Sequence, residues 1–169
     1  NHVHLILVPR HEDALRAALS RVRRAYAGRI HACERRTGHF WQGRFGSVAM
    51  DETSVLAALR YVALNPMRAR LALRARDWRW SGIHALLDPA RGDGLTDTAP
   101  VLARAPDFAA LLRGGEDGAL SEALRRTETI GRPLGGEAFL DRVKRELGQD
   151  ARAGKQGPKA RGEYNGLAL

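Results

Sequence analysis

The chain has 169 residues, 44% of them hydrophobic, with a mean hydropathy of −0.37, which describes one ordinary globular domain plus an appendage and excludes two large domains. Apolar runs such as Leu5-Ile6-Leu7-Val8 fall far short of the roughly 18 residues a membrane span needs. No basic-then-apolar signal segment is legible and the single cysteine, Cys33, cannot form an internal disulfide, so a cytoplasmic protein is expected.

The formal charge is +9, and only Lys144, Lys155 and Lys159 among the cations are lysines. Residues 1–88 carry 15 arginines against 7 acids (+8), residues 89–148 carry 9 basic and 10 acidic side chains (−1), and residues 149–169 carry 4 and 2 (+2). An arginine-rich first half is equipped to hold phosphates. A base-composition bias that leaves a solvated arginine surface gives the same count, so charge points to a polyanion and nothing finer.

Between His2 and Val8 the side chains alternate, with His2, His4, Ile6 and Val8 on one face and Val3, Leu5 and Leu7 on the other, which predicts a strand ended by Pro9-Arg10-His11. From Glu12 to about Arg36, Leu15, Leu19, Val22, Tyr26, Ile30 and Cys33 form one helical stripe, with Arg16, Arg23, Arg24 and Arg35 mostly off it. Thr37-Gly38 predicts the stop. A second short strand is expected over Arg44 to Met50. Asp51 to Ser54 offer N-caps for a helix carrying Val55, Leu56, Leu59, Val62 and Ala63, which Pro66 is expected to interrupt before a short helical piece at Met67 to Leu73. Asp77 to Ser81 closes this first unit, residues 1–88. Residues 89–99 read as a linker, residues 100–148 as a helical extension with segments near 100–113, 117–128 and 137–147, and residues 149–169 as a basic tail.

Two imidazoles at i and i+2 of a strand lie on one face about 6.5 Å apart along the chain, so His2 and His4 can share a metal ion. His-x-His also arises by chance, and the pair needs further groups to mean anything. Tyr61 and Asn65, at i and i+4 of the predicted helix, supply both kinds: a carboxamide that can ligate a hard cation and a phenol that can attack a phosphate. Taken singly, Tyr61 reads equally as a packed aromatic and Asn65 as a cap before proline. Trp41, Phe45, Trp78 and Trp80 can stack on unpaired bases or pack the sheet onto helices, and Arg44, Arg68 and Arg70 can contact phosphate or simply face solvent.

Four separated blocks, Asn1-His2-Val3-His4-Leu5-Ile6-Leu7, Gly38 to Phe45, Arg60 to Ala69 and Trp80-Ser81, together resemble the REP-associated tyrosine transposases, single-tyrosine members of the HUH endonuclease superfamily. The resemblance covers about residues 1–88, and Ile130 to Phe139 is similar to a C-terminal extension common in that family. It implies an α+β fold: a ferredoxin-like antiparallel sheet flanked by helices, here lacking the strand and helix that precede Asn1 in the family, and followed by the small helical extension. It also implies Mg²⁺- or Mn²⁺-dependent nicking and joining of single-stranded or hairpin DNA through a 5′-phosphotyrosine. In that scheme Tyr61 is the nucleophile, His2, His4 and Asn65 hold the metal, and Arg44, Arg68, Arg70, Trp41 and Trp80 are candidate DNA contacts. A monomer or a homodimer is compatible with it. The alternative is a hairpin- or single-strand-binding protein without catalysis, a truncated remnant of such an enzyme.

Overall fold

A computed structural model describes residues 2–114, 118–148 and 152. Its elements are helical: α1 (Ala14–Glu34), α2 (Glu52–Arg68), a 3₁₀ turn (Ala75–Asp77), α3 (Ile83–Leu87), α4 (Ala99–Arg104), α5 (Phe108–Arg113), α6 (Gly118–Ile130) and α7 (Glu137–Leu147).

The expected ferredoxin-like α+β sheet is not formed. Among the described residues there is no β-strand, and the one β-type pairing is a parallel bridge between Met50 and Leu134. It consists of Leu134 N–H donating to Ala49 C=O at 2.8 Å and Asp51 N–H donating to Leu134 C=O at 3.2 Å. Residues 2–9 and 44–49 lie outside any regular element, and neither segment finds the other. A strand needs a hydrogen-bonded neighbour along at least one edge and a covered apolar face. Here Val3, Leu5 and Leu7 are 79%, 58% and 48% exposed, so the odd-numbered face is uncovered, and on the even-numbered face only His4 and Ile6 are half-buried while Val8 stays exposed. Ile6 packs beside Ala58, Tyr61 and Leu124.

Helix α2 organises the fold because it is apolar on two sides. One side gives Ala63, with Leu64 packed alongside, to a cluster with Ala75, Ile83, Leu86 and Phe108, which draws residues from both sides of the 89–99 segment. The other gives Ala58 and Tyr61 to a cluster with Leu124, flanked by Ile6, Met50, Val62 and Leu134. Its start is fixed by Asp51, whose side chain accepts the Ser54 N–H at 2.9 Å and the Gly136 N–H at 2.7 Å. Bidentate pairing of Glu52 with Arg104 and the Arg60 Nε–H bond to Leu111 C=O at 2.7 Å tie α2 to α4 and to α5.

Pro66 does not interrupt α2 as expected. The helix runs through it and ends at Arg68; the one helical hydrogen bond an internal proline removes is lost, and Pro66 is buried. The separate piece expected at Met67 to Leu73 is replaced by a stop: Arg70 adopts a left-handed conformation (φ 57°) and Leu71 N–H returns to Pro66 C=O at 2.8 Å. Arg35 (φ 51°) ends α1 in the same way, two positions before Thr37. The segment expected over 100–113 is two helices, α4 and α5, divided around Pro106. Apart from Arg152, which pairs with Glu137 at 2.9 Å and Asp141 at 2.5 Å, the expected 149–169 tail lies outside the described residues.

Candidate functional site

The face of α2 that looks toward the N-terminal segment carries Tyr61, Asn65 and Arg68, at spacings of four and three residues, so they stack along one side of the helix. The N-terminal segment lies against this face outside any regular element. Alternation then places His2, His4 and Ile6 toward or beside the helix, with Ile6 as the apolar anchor.

The four residues expected to converge do so. His2 Nε2 and His4 Nε2 stand 3.0 Å apart, with ring centroids 4.8 Å apart and planes at 85°. Asn65 Nδ2 lies 3.2 Å from His4 Nε2. The His4 ring meets the Tyr61 ring edge to face at a centroid separation of 5.9 Å. Tyr61 is 6% exposed, His4 is half-buried and His2 is exposed, so the group opens outward from the phenol to the first imidazole.

These positions can be tested against the cation the resemblance implies. Two ligand nitrogens at about 2.1 Å from one ion and at right angles to each other are about 3.0 Å apart, the cis edge of an octahedron. The His2–His4 separation matches that edge. A half-turn of the Asn65 amide about its terminal bond puts Oδ1 where Nδ2 stands, at a similar distance from His4 Nε2, and the heavy-atom positions are the same either way. The donor set is therefore two imidazoles and a carboxamide, and it fits a divalent ion. Among the described residues no group of three or more His, Cys, Asp and Glu side chains is placed to hold a metal, so the carboxamide would be the third protein ligand.

Arg68 occupies a place that sequence reading had not assigned. Its guanidinium carbon sits 3.9 Å from the Tyr61 ring centroid, and Nη2–H donates to the Tyr61 carbonyl. The cation thus lies over the phenol's π face. The signal was legible as an i, i+7 relation on one helix, two turns apart, but stacking needs the long side chain to fold back along the helix, which spacing alone does not dictate.

The remaining candidates stand differently. Trp41 packs with Tyr26 and Phe40 at 5.8 and 4.9 Å, lies under Arg23, and donates Nε1–H to Arg23 C=O at 3.2 Å, an arrangement that serves the contact of the 38–45 loop with α1. Trp80 is 70% exposed beneath the Arg79 guanidinium, 4.2 Å away. Arg44 and Arg70 are exposed. None of these four shares a hydrogen bond, ion pair or ring contact with His2, His4, Tyr61 or Asn65 among the described residues.

Compared with protein-family models, curated proteins and solved structures, the chain finds no match in any of the three.

Proposed function

We propose that this chain is a transposase-like enzyme that nicks and rejoins single-stranded DNA beside hairpins, with Tyr61 as the nucleophile. What supports the reading is that His4 meets His2, the Asn65 amide and the Tyr61 ring together, the last two reached from 57 or more positions away.

In this scheme the Tyr61 oxygen attacks a backbone phosphorus, a new P–O bond forms, and the bond from phosphorus to the 3′-oxygen breaks. The phenolic proton is given up and the departing 3′-oxygen takes one, so the DNA gains a 3′-hydroxyl and a 5′-phosphotyrosine. A phenol is a better leaving group than an alkyl hydroxyl, so the ester retains the capacity to rejoin a strand. A bound Mg²⁺ or Mn²⁺ would polarise the scissile phosphate and offset its developing charge. His2, His4 and Asn65 would hold that ion, and Arg68, lying over the ring, holds the phenol side chain in place. Arg44, Arg70, Trp41 and Trp80 remain candidate DNA contacts outside this centre.

Labelled single-stranded hairpin DNA, incubated with the protein and Mn²⁺ and run on a denaturing gel, is expected to give a protein–DNA adduct that the Tyr61→Phe protein does not form. Equal adduct from both proteins removes Tyr61 as the nucleophile. The burial of Tyr61 favours one competing reading, a hairpin- or single-strand-binding protein without cleavage. That reading expects binding with a steep salt dependence, unchanged by EDTA, and no covalent product. Either reading places the chain in the cytoplasm, as a monomer or a homodimer. No helix among the described residues is long and apolar enough to cross a membrane.

A further inference from the structure

Helix α1 buries none of its residues, and its two sides differ in chemistry. At 100° per residue, Arg24, Arg21 and Arg29 fall within an arc of about 140°. Arg35, at the helix end, continues the row. Between them the arc carries only small residues, Ala14, Ala17, Ala18, Ala25, Gly28 and Ala32, of which Ala14, at the helix start, is half-buried and the others are exposed. A Cβ built on Gly28 meets nothing within 4 Å.

The acids near this helix do not neutralise the arc. Asp13 pairs with Arg16 at 3.0 Å and Glu34 with Arg36 at 3.2 Å. Arg23 points elsewhere, to the Gly43 carbonyl and the Trp41 ring. No ion pair or hydrogen bond engages the side chains of Arg21, Arg24, Arg29 or Arg35 among the described residues.

We infer that this face of α1 is a docking surface for the phosphate backbone of duplex DNA. Charge complementarity identifies a polyanion: three arginines on α1 and Arg35 at its C-cap spread over about 20 Å, the length of about six base pairs, and can meet about a third of the roughly twelve phosphates there. The composition of the arc selects a duplex over a single strand. Single-strand surfaces pair cations with aromatic platforms on which bases stack, and this arc has none. The aromatic residues of the region, Tyr26, Phe40 and Trp41, pack against one another about 140° round the helix from Arg21. Small side chains between the arginines let a bulky backbone approach the helix without obstruction. Contacts of this kind position DNA without reading its sequence. The inference shares with the proposed function the premise that the ligand is DNA, and it does not depend on Tyr61 chemistry.

The test is fluorescence anisotropy of a labelled duplex of about 20 base pairs, titrated with the full chain in EDTA at salt concentrations from about 50 to about 200 mM. R21Q/R24Q/R29Q is expected to lower the slope of log affinity against log salt by about 2 to 3 and to weaken binding tenfold or more, about one slope unit per lost phosphate contact. R76Q/R91Q/R145Q removes the same charge from exposed positions elsewhere and is expected to change affinity less than about threefold. Equal losses in both triple variants reduce the effect to net charge and overturn the inference, as does an unchanged slope in the first. Glutamine is nearly as good a helix former as arginine; should the triple variant nonetheless unfold by circular dichroism, R24Q alone carries the test, with an expected slope decrement of about 1. A labelled single strand of the same length is expected to lose less than the duplex, and equal loss overturns the duplex assignment. Duplex binding that depends on the arc, from a chain that forms no adduct on hairpin DNA, removes the strand-transfer reading and leaves this one standing.

Discussion

Asp51 Oδ2 accepts the backbone N–H of Gly136 at 2.7 Å, joining the start of α2 to the start of α7 across 85 positions of sequence. The same carboxylate accepts Ser54 N–H and Thr53 Oγ1–H, both at 2.9 Å, through Oδ1. One side chain therefore caps the helix that carries Tyr61 and Asn65 and also pins the chain that follows the Leu134 bridge.

Those hydrogen bonds favour the charged carboxylate, with the one from Gly136 foremost, and hold Asp51 well below its ordinary value of 3.8. A depressed folded-state value means that the stabilisation is fully present above about pH 4 and is lost as pH falls through and below the carboxylate range. Asp51→Ala is expected to cost about 1–2 kcal/mol at neutral pH, as loss of a helix cap does. In urea melts from pH 7 to pH 3 the difference between variant and parent should shrink at the acid end. A constant difference would contradict this account.

Two glycines are expected to respond in opposite directions to alanine. At Gly135 a Cβ would stand 2.5 Å from Phe139 Cδ1 and 2.6 Å from Asp51 Oδ2, so Gly135→Ala must displace the cap or the ring, at about 1–3 kcal/mol. At Gly28, within α1, the added methyl meets open space, and Gly28→Ala should raise stability by about 0.5–1 kcal/mol through helix propensity. Denaturant midpoints measured side by side distinguish the two.

The His2–His4 geometry predicts stabilisation by a divalent ion. Saturating Mn²⁺ at about 100 times its dissociation constant should add about 2.7 kcal/mol to unfolding and raise the melting temperature. His2→Ala and His4→Ala should each abolish that rise. Without the ion the two variants should differ, since His4 also contacts Asn65 and Tyr61 whereas His2 is exposed. A full Mn²⁺ shift in the double variant would place the ion elsewhere.

Arg68 and Tyr61 are expected to separate stability from chemistry. Arg68→Gln removes the cation over the ring, worth about 0.5–2 kcal/mol, and should slow adduct formation on hairpin DNA as well as lower the melting temperature. Tyr61→Phe keeps the ring and should melt within about 1 kcal/mol of the parent while forming no adduct. Adduct formed by Arg68→Gln at the parental rate would reduce the arginine to a packing role.

Legibility was uneven, for identifiable reasons. The long periodic segments α1 and α2 and the capping aspartate could be read because helix hydrogen bonds are local and the apolar stripe repeats within a few residues. Pro66 misled because sequence spacing does not show that its ring is buried, and burial offsets the one hydrogen bond that an internal proline removes. Spacing on each element gave the His2–His4 and Tyr61–Asn65 pairs, and their convergence was what the resemblance to the transposase family implied. The stacking of Arg68 on Tyr61 was not anticipated, because it depends on a rotamer.

By itself the sequence determined the two long helices α1 and α2 and where positive charge gathers, since each of these follows from side-chain order over one or two turns. Only the tertiary structure decided that residues 2–8 lie against α2 and join no sheet among the described residues, and that Asp51 reaches Gly136. Strand pairing and long-range capping depend on which distant backbone groups are within reach, and alternation along a single segment carries no information about its neighbour.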